Sequence, residues 1–119
     1  MEWKLNKNKP LVQQICEQIC LKIAVGELLP ESKLPSVRET AISSGVNPNT
    51  VQRAFEALEQ NGIIYSVRGS GSFVSTDIQK AKETVEQILR QKALEFFSEM
   101  QALGLDAEHT KKYVKELEL

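Results

Sequence analysis

The apolar residues between positions 37 and 60 recur at helical spacing. Four of them stand at i, i+3, i+4 and i+7, which places them on one face of a helix. These four are Val51, Ala54, Phe55 and Leu58. A shorter helix is predicted before them, from about Val37 to Ser44, with Val37 and Ala41 facing inward. The pattern therefore predicts two consecutive helices that each bury one face.

Local signals define the ends of these two helices. Ser36 and Glu39 form an S-x-x-E capping box, in which each side chain accepts the backbone amide of the other residue. Gly45 suits the left-handed conformation that ends a helix. Asn47 can cap the next helix, and Pro48 suits its first position because no amide is needed there. Two helices separated by a Gly-containing turn are typical of a helix-turn-helix.

A hairpin is predicted directly after the second helix, which ends at Asn61-Gly62. β-branched and aromatic residues occupy positions 63–67 and 72–75 and flank the turn Arg68-Gly69-Ser70-Gly71. Glycine at the tip lets the backbone approach a phosphate closely, and Arg68 adds positive charge. The turn lacks the Lys-Ser/Thr that follows in a P-loop, so nucleotide binding is not expected.

The last 44 residues predict two helices with a broad apolar stripe. The first helix carries Ile78, Ala81, Val85, Ile88, Leu89, Phe96, Phe97, Met100 and Leu103, and Gly104 ends it. The second helix follows Leu105-Asp106 and carries Ala107, Thr110, Tyr113, Val114 and Leu117. A short partner helix cannot bury such a stripe, so we expect a symmetric homodimer. The predicted dimer residues are Val85, Ile88, Leu89, Phe96, Phe97 and Met100. The alternative is that the long helix packs back on its own chain.

These elements predict a mainly α fold with a small β-hairpin wing, in the α+β class. A winged helix-turn-helix domain is expected over residues 1–75, and a two-helix dimerisation segment over residues 76–119. The net charge of −1 argues against a general nucleic-acid binder. Residues 1–75 hold eight Lys and Arg against seven Glu, so their net charge is close to zero. Any attraction to DNA must therefore come from where the positive side chains lie. Binding to DNA would therefore need specific contacts from a twofold array.

The second helix keeps a polar face once its core residues are accounted for. That face carries Asn49, Thr50, Gln52, Arg53, Glu56 and Gln60. Asn and Gln can pair with adenine, Arg with guanine, and Thr with a phosphate or a thymine methyl. Such a face could also be an ordinary solvated surface. The helix-turn-helix spacing and the wing favour double-stranded DNA as the partner.

Other kinds of site find little support in the sequence. Cys16 and Cys20 lie four apart among apolar residues and are expected to pack as small hydrophobes. A redox or metal switch is the alternative, although two Cys lack the further ligands of a zinc site. The single histidine, His109, lies in a polar run and is expected at the surface. No Ser-His-Asp, carboxylate-pair or metal-ligand cluster can be assembled from the sequence. We therefore expect no enzyme activity, metal or cofactor. Without a signal peptide or a long apolar run, the chain is expected to be cytoplasmic and to have no membrane partner.

Residues 10 to 75 resemble the amino-terminal winged helix-turn-helix domain of GntR-type bacterial transcription regulators. The matching residues are Pro10-Leu11, Gln14-Ile15, Ile23, Gly26, Leu28, Leu34-Pro35-Ser36, Arg38-Glu39, Ala41, Val46-Asn47, Thr50-Val51, Ala54-Phe55, Leu58, Gly62-Ile63 and Arg68-Gly69-x-Gly71-x-Phe73-Val74. Two residues depart from the family pattern. Glu31 stands where Gly is usual, and Thr40 stands where Leu or Met is usual.

The resemblance implies a set of DNA contacts. These are Arg38 in the first helix of the motif, Asn47, Asn49 and Thr50 at the start of the recognition helix, Arg53 on its exposed face, and Arg68 with Gly69 in the minor groove. Gln52 stands where some relatives have Arg, so a different base preference is expected there.

The short helical tail resembles that of the YtrA-type subgroup, in which such a tail serves dimerisation. Members are typically repressors of transporter operons. This implies a homodimeric repressor of a transporter or stress-response operon that binds a pseudo-palindromic operator. The tail has little room for a pocket of about 300 Å³, so a small-molecule effector would bind at the dimer interface or near Thr76. The alternatives are a winged-helix protein-interaction module and the amino-terminal part of a larger fusion regulator. The polar ending favours a complete small protein.

Overall fold

The computed structural model describes all residues from Met1 to Leu119. It contains five helices and one two-stranded antiparallel sheet, which confirms the predicted mainly helical α+β class. In chain order they are α1 (Leu11–Ala24), α2 (Val37–Ser44), α3 (Pro48–Gln60), β1 (Ile64–Val67), β2 (Gly71–Val74), α4 (Gln79–Ala102) and α5 (Ala107–Glu116). None of the helices has an apolar run long enough to cross a lipid bilayer.

The capping signals around α2 and α3 form as predicted. The Ser36 hydroxyl accepts the Glu39 amide, and the Glu39 carboxylate accepts the Ser36 amide, each at 3.0 Å. These hydrogen bonds from Ser36 hold the pKa of Glu39 below its usual range. Gly45 ends α2 in the left-handed region at φ 70°, and Asn47 caps α3. The turn between the helices is therefore set by contacts close in sequence.

The core of the winged part forms where α1 packs against α3. Its largest fully buried side chains come mainly from these two helices, with Val74 of β2 added. They include Ile15, Ile19, Ile23, Val51 and Leu58. Helix α2 contributes Ala41, which is buried, and Val37, which is half-buried against the same core. The cluster fixes the rotation of α3 about its own axis.

The wing is fastened to the rest of the fold along β2. Tyr65 pairs with Phe73 across the hairpin, and their rings stack at 5.6 Å between centroids. The backbone amide of Leu34 donates to the carbonyl of Ser72, and the amide of Val74 donates to Ser32, each at 2.9 Å. The hairpin turn is one residue shorter than predicted, because the residue at position 71 pairs with β1 as the first residue of β2. The loop before α2 therefore runs alongside β2 and is hydrogen-bonded to it.

Glu31 lies in this loop with φ 64°, and it is the one non-glycine residue with a positive φ. Its amide donates to the Val74 carbonyl at 2.8 Å, and its carboxylate accepts the Thr76 hydroxyl at 3.1 Å. A left-handed backbone costs a residue with a Cβ more than it costs glycine. This geometry explains why glycine suits the position in similar chains.

The chain divides into two compact units, Met1–Val85 and Glu86–Leu119. The sequence predicts the boundary between the winged domain and the helical tail ten residues earlier, after residue 75. The start of α4 belongs to the first unit because Ala81 is buried in the core of the winged part. Ile78, which precedes α4, and Val85 are half-buried against the same core. The winged unit therefore includes the beginning of the long helix.

The second unit contains the rest of α4, a turn at Gly104 and α5. Asp106 caps α5 by accepting the His109 amide at 2.9 Å, and its carboxylate also lies 2.7 Å from the His109 ring nitrogen. These contacts with His109 lower the pKa of Asp106. Thr110 is the one fully buried side chain of this unit, and its hydroxyl donates to the Leu105 carbonyl. The unit has no hydrophobic core of its own.

Thr40 generates a prediction about stability. Its side chain is fully buried in α2, and its hydroxyl has no hydrogen-bond partner. An unsatisfied buried hydroxyl costs free energy that a methyl group of similar size does not. We expect Thr40→Val to raise the free energy of unfolding by about 1 kcal/mol, measured by urea denaturation at fixed protein concentration.

Thr110→Val is the matched control, because Thr110 is equally buried but its hydroxyl is bonded. We expect that variant to be destabilised. A loss of stability in Thr40→Val would show that the Thr40 hydroxyl has a partner in solution.

Candidate nucleic-acid interface

The polar face of α3 is presented by a rigid helix. The opposite face is wholly buried through Val51, Ala54, Phe55 and Leu58, as predicted. Asn49, Gln52 and Arg53 are exposed, and Thr50 is half-buried. A helix fixed in this way presents side chains in a constant arrangement, which suits the major groove of duplex DNA.

The first turn of α3 combines a cap with free donors. The side-chain oxygen of Asn47 accepts the Asn49 amide at 2.8 Å. An Asn side chain also has an NH₂ group with two donors, and the cap leaves these donors available. The exposed Asn49 and the half-buried Thr50 follow in the same turn. Donors at a helix start are suited to contacting a phosphate.

The two arginines of the helix-turn-helix are free of ion pairs within the chain. Arg38 is exposed in the first turn of α2, and Arg53 is exposed in the second turn of α3. Neither of them takes part in any of the ion pairs of the chain. An unpaired guanidinium can form a bidentate contact with guanine or a phosphate without first breaking a salt bridge.

Gln52 is engaged by a neighbouring carboxylate. Its side-chain NH₂ donates to the Glu56 carboxylate at 3.2 Å. Bidentate pairing with adenine requires both the oxygen and the NH₂ of the Gln side chain. In the free protein this donor is occupied, so adenine would have to displace Glu56. The sequence placed both residues on the polar face but did not indicate this contact.

The wing tip exposes Arg68 and Gly69. Gly69 has φ 78°, and a Cβ placed there would meet no atom within 4 Å. Glycine is therefore needed for the backbone conformation and not for space. Gly71 differs, because a Cβ there would lie 3.0 Å from the Lys33 side chain. Lys33 adds a positive charge beside the wing that the sequence pattern did not reveal, since the two residues are far apart in the chain.

A cleft of about 450 Å³ lies between α3 and the wing. Its lining includes the carboxylates of Glu56 and Glu59 and contains no cationic side chain. Glu59 also accepts the Ser66 amide of β1 at 3.2 Å, which ties the wing to α3. The cleft is therefore unsuited to a small anionic ligand bound within it. The cationic groups lie outside it, on α2, α3, the wing tip and the loop before α2.

The two cysteines have the properties of packed apolar residues. Burial raises the pKa of Cys16 and that of Cys20 to about 11. The Cys16 thiol lies 3.4 Å from the Ala54 carbonyl of α3. A thiol with a raised pKa is a poor nucleophile at neutral pH. No group of three or more His, Cys, Asp or Glu side chains is placed to hold a metal ion.

A family comparison agrees with this geometry. The family model described as "Bacterial regulatory proteins, gntR family" matches residues 11–74, which is more than half of the chain. The chain belongs to the GntR family. The matched segment runs from the first residue of α1 to the end of β2, so it contains the helix-turn-helix and the wing.

Two curated relatives extend the similarity to the second unit. The GntR-family chain is 37% identical over 115 residues to the uncharacterized HTH-type transcriptional regulator YhcF of Bacillus subtilis, covering 97% of this chain and 95% of that protein. It is 34% identical over 115 residues to the HTH-type transcriptional repressor YtrA of Bacillus subtilis, covering 91% and 84%. The resemblance to YtrA-type GntR regulators is thereby confirmed.

Solved structures show the same fold. A GntR family transcriptional regulator from Listeria monocytogenes superposes with a TM-score of 0.82 at 38% identity, covering 96% of this chain and 100% of that one. The AraR DNA-binding domain in complex with operator ORE1 superposes with a TM-score of 0.54 at 32% identity, covering 63% and 94%. The chain is a GntR-family transcription regulator with a winged helix-turn-helix DNA-binding domain, and not an enzyme.

The Gln52–Glu56 contact generates a prediction. We expect Glu56→Ala to raise the affinity for a random-sequence duplex about fivefold, because the change removes a negative charge and frees the Gln52 side chain. Fluorescence anisotropy at fixed salt measures the affinity. Glu83→Ala, which removes an exposed carboxylate from α4, is the control. Equal effects of the two changes would show that only net charge matters.

Proposed function

We propose that this GntR-family regulator is a homodimeric repressor that reads a pseudo-palindromic operator through α3 and the wing. The exposed polar face of α3, opposite a fully buried face, is the observation that carries the proposal. A helix of this kind fits the major groove, and a twofold dimer places two such helices about one helical turn apart. Occupancy of the operator would block RNA polymerase, and YtrA is itself a repressor.

Each proposed contact has a distinct role. Arg53 and Gln52 read base edges, because their side chains project from the exposed face beyond the first turn. The contacts to the DNA backbone come from the ends of the motif. They are Arg38 at the start of α2, and Asn47, Asn49 and Thr50 at the start of α3. Arg68 and Gly69 enter the minor groove, since both are exposed at the wing tip.

The proposed dimer surface lies mainly on the second unit. It comprises Val85, Ile88, Leu89, Phe96, Phe97 and Met100. Leu89 is 58% exposed and Phe96 is 39% exposed, although both are large apolar residues. Two helices with one buried threonine cannot be stable through their own core, so a second copy of the chain is the proposed cover. Val85 contributes only at the edge, since it also packs against the winged unit.

The regulated genes follow from the subgroup alone. The YtrA-type resemblance favours an operon that encodes a transporter, or one that serves a stress response. A small-molecule effector is not required by this proposal, because the dimer and its operator contacts are complete without one.

The function is tested by selecting bound duplexes from a random pool. We expect two inverted half-sites whose centres lie about one helical turn apart. On the selected operator, Arg53→Ala should weaken binding by about 1–3 kcal/mol and relax the preference at one base pair of each half-site. Arg90→Ala on α4 removes the same side chain outside the winged unit and should leave binding unchanged. Wild-type affinity in Arg53→Ala would remove Arg53 from base reading.

The dimer surface has a separate test. We expect Phe96→Glu combined with Phe97→Glu to give monomers in sedimentation, because two charges cannot be buried at an apolar interface without partners. DNA affinity should fall by on the order of a hundredfold or more, since each winged unit then binds alone. Glu95→Lys, a neighbouring exposed position, is the control and should stay dimeric. A double variant that sediments as a dimer would place the interface elsewhere.

A further inference from the structure

An amino-terminal arm, Met1–Pro10, lies outside the segment that the family model matches. Three side chains of α1, four residues apart on one face, hold its backbone. The Gln14 side chain accepts the Asn6 amide at 2.7 Å and donates to the Asn6 carbonyl at 2.8 Å. The Gln18 side chain bonds the amide and the carbonyl of Lys4 in the same way. The Lys22 ammonium donates to the Glu2 carbonyl at 2.8 Å. Four helical residues rise about 6 Å, which matches about two residues of extended chain. The arm is thus held at every second residue.

The same arm also contacts α2. The indole NH of Trp3 donates to the Ser43 hydroxyl at 3.0 Å. Trp3 and Leu5 are half-buried against the core, and the Lys22 ammonium lies 5.7 Å from the centre of the Trp3 ring. The arm therefore bridges α1 and α2, the first helix of the DNA-binding motif, and it is part of the fold.

Lys7 occupies a fixed turn at the end of this arm. The Asn6 side chain accepts the Asn8 amide at 3.0 Å, and the Asn6 carbonyl accepts the Lys9 amide at 3.1 Å. From this turn the Lys7 ammonium reaches the Gly45 carbonyl at 3.1 Å. Gly45 ends α2 and stands just before the cap of α3.

The Lys7 ammonium retains binding capacity in this position. An ammonium has three donors, and the Gly45 carbonyl takes one of them. Lys7 is exposed and makes no ion pair. Its backbone is already fixed by the turn, so less conformational freedom is lost on binding than for an ordinary surface lysine.

We propose that Lys7 binds a DNA phosphate and that the amino-terminal arm is a fourth DNA-contacting element beside α2, α3 and the wing. The inference rests on the proposed entry of α3 into the major groove, which brings the sugar-phosphate backbone close to the turn between α2 and α3. Phosphate contacts of this kind fix the position of the protein on the duplex and carry no sequence information. Gln14 acts as the positioning residue for Lys7, because it bonds the backbone of Asn6 in the turn that carries Lys7.

The salt dependence of binding tests the proposal on the full chain. The affinity of wild type and Lys7→Gln is measured at several salt concentrations, on the selected operator and on a random-sequence duplex. The slope of log K against log salt is negative, and each lost phosphate contact reduces its magnitude by about 0.9, so the magnitude should fall by about 1.8 for a dimer. The loss should be the same on both duplexes, and Lys7→Arg should restore the slope.

Lys4→Gln is the matched control, because it removes the same charge from the same arm. The Lys4 side chain lines a different depression, together with Glu2, Gln18 and Glu27, and its removal should leave the slope unchanged. Gln14→Ala should also reduce the magnitude of the slope although Lys7 is still present, because the turn that carries Lys7 is released. Circular dichroism confirms that each variant remains folded.

The outcomes separate this inference from the proposed function. An unchanged slope in Lys7→Gln, with normal operator binding by the wild type, overturns the phosphate contact and leaves the function intact. Equal losses in Lys4→Gln and Lys7→Gln also overturn it, since they indicate only a general charge effect. A wild-type chain that selects no duplex overturns the proposed function itself.

Discussion

Helix α3 buries one whole face, and this burial determines how the DNA-binding motif is presented. Val51, Ala54, Phe55 and Leu58 are all buried, and α1, α2 and β1 pack against α3, with α1 in the most extensive contact. Because a helix repeats every 3.6 residues, burying these four side chains fixes which residues face outward. Arg53 and Gln52 are exposed for that reason alone. The reading face is a geometric consequence of the core.

The winged unit is close to electrically neutral, so its attraction to DNA depends on where the charges lie. Arg38 and Arg53 are unpaired, and Lys33 lies beside the wing. The carboxylates of Glu56 and Glu59 line the cleft behind them. Positive charge at the edges and negative charge in the cleft favour contact with two flanking backbones over binding of a small anion. Such an arrangement favours specific binding over general affinity for nucleic acid.

The second unit differs from the winged unit, because it has large apolar side chains but no hydrophobic core that buries them. Thr110 is its one buried residue, while Leu89 and Phe96 remain exposed in the single chain. A segment of this kind gains stability only when another surface covers it. In the proposed dimer, folding of the tail is coupled to dimerisation, which also brings together the exposed polar faces of the two α3 helices. The stability of the regulator would then depend on its concentration.

Features that depend on residues close in sequence could be predicted from the sequence alone. The capping box at Ser36, the left-handed Gly45 and the start of α3 at Pro48 all follow from contacts a few residues long, so the bounds of α2 and α3 could be predicted. Contacts between segments distant in sequence became visible only in the folded chain. Lys7 meets Gly45 across 38 residues, and the start of α4 joins the winged core through Ala81. No local pattern encodes such contacts, because they arise from how whole elements pack against one another.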